Sequence, residues 1–268
     1  MSRPLLAGLS LAIGYPGRRV GDGLDIQLLP GRTTALLGPN GGGKTTLLKT
    51  LLGLIPPLAG EVLLDDASIA AMPIRARARR IGYVPQSQGP SFGFSVFETV
   101  LMGRTAHSGP LSRPSAADET AARTAIDRLG IAMLAERPIT EVSGGERQLA
   151  LIARALAGEP AIVVLDEPTA SLDFGNQGRV LAEIGRLASS GLAVLFTTHD
   201  PNQALRHADD VALLAGGRIV AQGPAPEALT RARLEQLYGG AVEEIGTGGN
   251  RAFLPGPVSV GEGPPAPI

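Results

Sequence analysis

The sequence predicts an α/β fold with a mostly parallel central sheet, interrupted by a small helical insertion. Three observations carry this. Short apolar runs alternate with segments of helical spacing along most of the chain, the pattern that builds a parallel sheet with helices on its faces. A glycine-rich loop, Gly38-Pro39-Asn40-Gly41-Gly42-Gly43-Lys44-Thr45-Thr46, follows the apolar run at 34–37 and opens the helical run at 47–52. Ile162-Val163-Val164-Leu165 is continuously apolar and ends in Asp166-Glu167, which reads as a strand buried on both faces.

Residues 5–13 come first. They contain the alternation Leu9-Ser10-Leu11-Ala12-Ile13 and no small-residue cleavage site, so they read as an edge strand rather than a signal peptide. Strands are expected at 24–29 and 33–37, with Pro30-Gly31 as the turn between them, and again at 61–64 and 80–84. From about 95 to 138 the spacing turns helical; Ser115-Ala116-Ala117-Asp118-Glu119 opens a helix that should stop at Gly130. A helix from Ser143, a strand at 161–165, a helix at 176–189, a strand at 192–198, a helix at 201–207 and a strand at 210–214 follow. Gly216-Gly217 fits a tight hairpin into 218–221. The ordered unit is expected over 1–239, with the helical insertion at about 95–158. Beyond Gly239 the chain is rich in Gly and Pro, so 240–268 is expected to be a poorly ordered tail.

Composition narrows the chemistry. A chain of 268 residues can bury a sizeable core, and a formal net charge of -1 gives no reason to expect nucleic acid or an anionic membrane surface as the main partner. Cysteine is absent, so disulfides and thiolate metal sites are excluded. The longest apolar runs are far below the ~20 residues of a transmembrane helix. A cytosolic protein is expected.

The glycine loop fits the phosphate-loop pattern G-x-x-x-x-G-K-[ST]. Its glycines let consecutive N–H groups point inward at an anion, and the following helix adds the positive end of its dipole. Lys44 would reach the β- and γ-phosphates, and the Thr45 hydroxyl would ligate Mg²⁺. Only Lys44 and Lys49 among 24 basic residues are lysines, so lysine stands where a flexible point charge is needed. The plainer reading is a glycine-rich turn that happens to precede a helix. Asp166 and Glu167 would lie where parallel sheets place their chemistry: Asp166 assisting Mg²⁺, Glu167 polarising the attacking water. Their alternative is a strand that exits into solvent through acids. Ser143-Gly144-Gly145-Glu146 fits a helix capping box, and a helix start with two glycines is also an anion site; both readings can hold together.

The order of these motifs resembles the ATP-binding cassette (ABC) ATPases over about residues 5–239. The resemblance rests on the phosphate loop at 38–46 and on Gln86 in Tyr83-Val84-Pro85-Gln86. It continues with the signature Val142-Ser143-Gly144-Gly145-Glu146-Arg147-Gln148, the acidic strand at 162–167, Ser171-Leu172-Asp173, and His199 in Thr197-Thr198-His199-Asp200. Val142 and Glu146 depart mildly from the commonest signature without removing a glycine or the serine. The resemblance implies a P-loop NTPase core with an antiparallel β subdomain and an inserted helical subdomain. ATP and Mg²⁺ are the implied cofactors. Tyr15 would stack on adenine, or else be an ordinary strand-end aromatic. Gln86 would sense Mg²⁺ and the γ-phosphate, and His199 would hydrogen-bond that phosphate, whereas His107 and His207 read as structural. Ser143, Gly144 and Gly145 would bind the nucleotide of a second cassette, with Asp173 at the contact between the two.

One phosphate loop and one signature per chain then imply half of a working ATPase, expected as a homodimer. Integral permease subunits and, indirectly, a solute-binding protein are the other implied partners, and the chain itself is expected to be cytoplasmic, peripheral on the cytoplasmic face of the cell membrane. Phe97-Glu98-Thr99-Val100-Leu101-Met102-Gly103-Arg104 and the Pro114-Ser115 helix start look like importers of iron–siderophore, haem, cobalamin or related metal chelates. Leu172-Asp173-Phe174-Gly175-Asn176-Gln177 is also similar to the molybdate and tungstate branch. A soluble cassette protein without transport work, another transporter, and a degenerate binding scaffold are the alternatives.

Overall fold

The computed structural model describes residues 3–86, 93–108, 113–247 and 250–256. In chain order, β1 (Leu6–Tyr15) and β2 (Arg18–Leu28) form a hairpin, and β3 (Thr33–Leu37) runs through the glycine loop into α1 (Lys44–Leu51). Next come β4 (Ala59–Leu64), β5 (Ala67–Ser68), α2 (Ile74–Arg80) and β6 (Ile81–Val84). The helices α3 (Val96–Leu101), α4 (Thr105–Ser108), α5 (Ala116–Arg128) and α6 (Gly144–Ala157) follow. Alternation resumes with β7 (Ile162–Leu165), α7 (Phe174–Ser189), β8 (Ala193–Thr198), α8 (Pro201–His207), β9 (Asp210–Ala215) and β10 (Arg218–Pro224). The described chain closes with α9 (Ala225–Ala228), α10 (Arg231–Tyr238), β11 (Val242–Ile245) and β12 (Ala252–Pro255).

The central sheet has the order β10-β9-β3-β8-β7-β6, parallel throughout except for the antiparallel edge strand β10. Every residue of β3, β7 and β8 is buried, as expected of strands covered on both faces. Alternate residues of β7 serve different cores. Ile162 and Val164 pack with Leu47, Leu48 and Leu195, while Val163 and Leu165 pack with Leu149, Ile152, Ile184 and Phe196. Because the strands are parallel, β3, β6, β7 and β8 leave the sheet at one edge, so Gly38, Gln86, Asp166 and His199 emerge side by side. That edge is where the chemistry collects.

A second, antiparallel sheet has the order β2-β1-β4-β5. It corrects the reading of the first strand as an edge. β1 pairs with β2 on one side and β4 on the other. Alternation reports that one face of a strand is buried, not how many partners it has, and β4 arrives from beyond α1.

The helical insertion is organised by caps and one buried cation. Ser115 and Asp118 form a capping box at the start of α5, and Gly130 adopts the left-handed conformation (φ 64°) just past its end, as expected. Arg104 donates to Asp118 Oδ1 at 2.9 Å, to Glu159 at 2.6 Å and to the Ala157 carbonyl at 2.9 Å, tying the start of the insertion to the end of α6. The Ser108 hydroxyl, the Ser115 N–H and hydroxyl, and Arg104 hold the Asp118 carboxyl well below the usual range. Its folded value is depressed, so its contribution is fully present above its ordinary value and fades as pH falls below that. In thermal melts, Asp118→Asn should therefore show a constant deficit from neutral pH down to about 4, shrinking at lower pH. A deficit that persists unchanged in acid would assign it to packing alone.

The C-terminal expectation also needs correction. β11 and β12 pair antiparallel as a hairpin, from Val242–Pro255 to Ile245–Ala252. Val242 and Phe253 are buried in the main core. These two apolar side chains, with the bonds of Asn202 to the Phe253 backbone and of Arg251 to the Pro226 carbonyl, dock a segment whose Gly and Pro content conceals them. Residues 257–268 lie outside the described residues. Among the described residues, no helix is long and apolar enough to cross a membrane.

Candidate functional site

The loop leaving β3 is shaped by glycine and closed by lysine. Gly43 precedes α1 with φ 99°, and a Cβ there would meet Val20 Cγ1 at 2.9 Å. No side chain caps α1, and its first turn holds no acid, so its N-terminal N–H groups face the loop's interior. Lys44 is 5 % exposed. Its Nζ donates to the carbonyls of Gly38 (2.9 Å) and Pro39 (3.2 Å) and lies 3.3 Å from Glu167 Oε1. Thr45 Oγ1 donates to Asp166 Oδ2 at 3.0 Å.

The two acids are held by different neighbours. Thr197, on β8, donates its hydroxyl to Asp166 Oδ1 at 2.8 Å and accepts the Glu167 N–H at 2.7 Å. Glu167 has φ 48°, a left-handed conformation that costs a non-glycine residue about 1–3 kcal/mol and persists only where surroundings enforce it. The Thr197 hydroxyl is part of that enforcement. Gln86 Nε2 donates to Glu167 Oε2 at 2.8 Å, and His199 Nδ1 lies 3.8 Å from the same oxygen. Burial, with the Asp166 charge second, pushes the Tyr83 phenol up to about 12, so it stays neutral beneath the acids.

A cavity of about 380 Å³ opens over these groups, lined by Tyr15, Arg18, Val20, residues 40–46, Gln86 and Glu167. Tyr15, Asn40, Gly41, Gly42, Gly43, Lys44, Thr45, Thr46 and Gln86 are thus together, with Gly38 and Pro39 behind them as partners of Lys44. Asp166 and His199 touch the cavity's residues from the neighbouring strand ends. Sequence reasoning missed Thr197 and Arg18. The signal for Thr197 was a pair of threonines closing an otherwise apolar strand; nothing local marked Arg18.

No group of three or more His, Cys, Asp or Glu capable of holding a metal gathers among the described residues. The Thr45 hydroxyl and Asp166 carboxylate are hard oxygen donors, 3.0 Å apart at the foot of the phosphate loop. They fit Mg²⁺, which takes one or two protein oxygens and completes its shell with phosphate and water.

Ser143, Gly144, Gly145 and Asp173 form a second cluster that does not line this cavity. Ser143 caps α6 as expected, its N–H and hydroxyl both donating to Glu146 Oε2 at 2.9 and 2.8 Å. Asp173 caps α7, accepting from the Asn176 backbone (2.9 Å) and side-chain amide (2.8 Å), bonds that hold its carboxyl below the usual range. A Cβ on Gly145 would collide with the Asn176 side chain, so α6 can start this close to α7 only with glycine there. His107, hydrogen-bonded to the Gly158 carbonyl, and the half-buried His207 lie apart from both clusters.

A buried strand, a glycine loop and a helix, with two acids on a nearby parallel strand, define a phosphate-loop nucleotide-binding protein. The ABC transporter family matches residues 22–170. The hemin import ATP-binding protein HmuV of Myxococcus xanthus is 39% identical over 92% of this chain and 92% of its own length. The ferric enterobactin transport ATP-binding protein FepC of Escherichia coli is 39% identical over 87% of each chain. Among solved structures, one described as a metal-chelate type ABC transporter in an inward-facing conformation superposes with a TM-score of 0.83. It is 35% identical and covers 94% of this chain and 98% of that one. The chain belongs to the ABC transporter family, and ATP binding and hydrolysis come with that membership.

Proposed function

We propose that the chain is the ATP-hydrolysing subunit of an importer of a metal chelate, a ferric siderophore or hemin being the favoured cargo. The grouping of Lys44, Glu167, Gln86 and His199 around one cavity carries the catalytic half of this reading. The cargo follows the hemin and ferric enterobactin relatives and the metal-chelate transporter structure.

The β- and γ-phosphates take Lys44 from the Gly38 and Pro39 carbonyls, while loop N–H groups and the start of α1 receive the remaining oxygens. Tyr15 stacks on the adenine. Thr45 and Asp166 would hold Mg²⁺, with Gln86 as a further oxygen donor nearby, and the ion would supply neutralisation of the phosphate charge. Glu167, fixed by Thr197, orients and polarises the attacking water, and His199 hydrogen-bonds the γ-phosphate. Ser143, Gly144, Gly145 and Asp173, whose polar groups are held by Glu146 and Asn176 in the lone chain, are to meet the nucleotide and loop of a second, identical cassette, giving two composite sites. ATP then favours the closed pair by its differential affinity for it, and hydrolysis releases the pair. The chain sits peripherally on the cytoplasmic face of the membrane, and its partners are integral permease subunits fed by a solute-binding protein; nucleic acid is not among them.

The test is purification of the tagged chain from mildly solubilised membranes of its own cell. The expected result is co-purification of integral permease subunits, with ATPase activity stimulated by a solute-binding protein loaded with an iron chelate. Recovery without any integral partner would remove the transport role, and stimulation by a sugar-loaded binding protein instead would remove the cargo assignment.

A further inference from the structure

The C-terminal hairpin, outside the family match and beyond the expected end of order, is joined to the loop that carries His199. Tyr238, the last residue of α10, donates its hydroxyl to the His199 carbonyl at 2.7 Å. Three residues past His199, the Asn202 side chain acts as a strand partner for β12. Its Nδ2 donates to the Phe253 carbonyl at 2.9 Å, and its Oδ1 accepts the Phe253 N–H at 2.8 Å. Phe253 is itself 3 % exposed, so the far end of this bond pair is anchored in the core. Between the histidine loop, α10 and the hairpin lies a cleft of about 690 Å³. Polar ties join the hairpin to the start of α8 beside it, alongside the packing of Phe253 in the core.

On the loop's own side, the Thr198 hydroxyl accepts the Asp200 N–H at 3.1 Å, and Asp200 caps α8 through the Asn202 N–H at 2.8 Å. These local bonds shape the turn. They leave the His199 carbonyl to Tyr238, while the His199 ring, 58 % exposed, lies 3.8 Å from the Glu167 oxygen. We propose that Tyr238 and Asn202 are positioning residues, through which the end of α10 and the docked C-terminal hairpin set the His199 ring against the γ-phosphate. The hairpin is then part of the catalytic apparatus rather than a trailing end. The proposal rests on the assignment of His199 to the γ-phosphate.

Steady-state ATPase kinetics and ATP titration of the full chain carrying Asn202→Ala or Tyr238→Phe test it. Each substitution should lower kcat by about three- to tenfold while KM and the Kd for ATP stay within about twofold. Neither should lower the rate further in a His199→Ala background, because all three then act on the same contact. Tyr238→Phe keeps the aromatic ring, so it decides the question if Asn202→Ala does not fold. Wild-type kcat in Tyr238→Phe and in folded Asn202→Ala overturns the proposal, as does an undiminished further loss in the His199→Ala background. A His199→Ala chain with wild-type kcat would instead overturn the γ-phosphate assignment, so the two failures are told apart.

Discussion

Glu167→Gln should bind ATP at least as tightly as the native chain and hydrolyse it about 10²–10⁴-fold more slowly. The amide keeps the size of the carboxylate but cannot accept a proton from water. Binding is spared for a second reason. Lys44 lies 3.3 Å from Glu167 Oε1, and removing that charge releases the lysine for phosphate without breaking a native contact to the nucleotide. A phosphate-release assay measures the rate, and light scattering after gel filtration with ATP should show a stable dimer. Hydrolysis at the native rate would take Glu167 out of its role.

Lys44→Ala should raise the Kd for ATP by about ten- to a hundredfold or more, since charge-assisted bonds are worth about 1.5–3 kcal/mol each. The readout has to be affinity rather than stability. Lys44 is buried and its loss also strands the Glu167 carboxylate, whose side chain is 11 % exposed, so the substitution perturbs the empty protein too. Isothermal titration gives the affinity directly, and the melting-temperature rise that ATP gives the native chain should largely vanish. An unchanged Kd would refute the phosphate-loop assignment.

Where a signal was contiguous, the sequence exposed it. The loop at 38–46 carries its own strand, glycines and helix start, and Asp166-Glu167 terminates an unbroken apolar run. The caps at Ser115 and Ser143 were legible because their partners sit three residues on. What escaped depends on distant pairings. β1 reads as an edge from its sequence because β4 joins it only after the chain has passed through α1. Thr197 meets Asp166 and Glu167 only because β8 lies beside β7. The hairpin of β11 and β12 is hidden by glycine and proline, although Val242 and Phe253 help to seat it. Arg18 reaches the cavity through the β1–β2 turn, a placement no local pattern encodes.

The Glu146 carboxylate already occupies the hydroxyl and amide of Ser143 that an arriving anion would seek. Being tethered three residues away, it competes at an effective concentration that stray inorganic phosphate in the surroundings does not reach. In the lone chain the Glu146 carboxylate thus stands in for an anion at this helix tip, and any phosphate taking its place has to displace it.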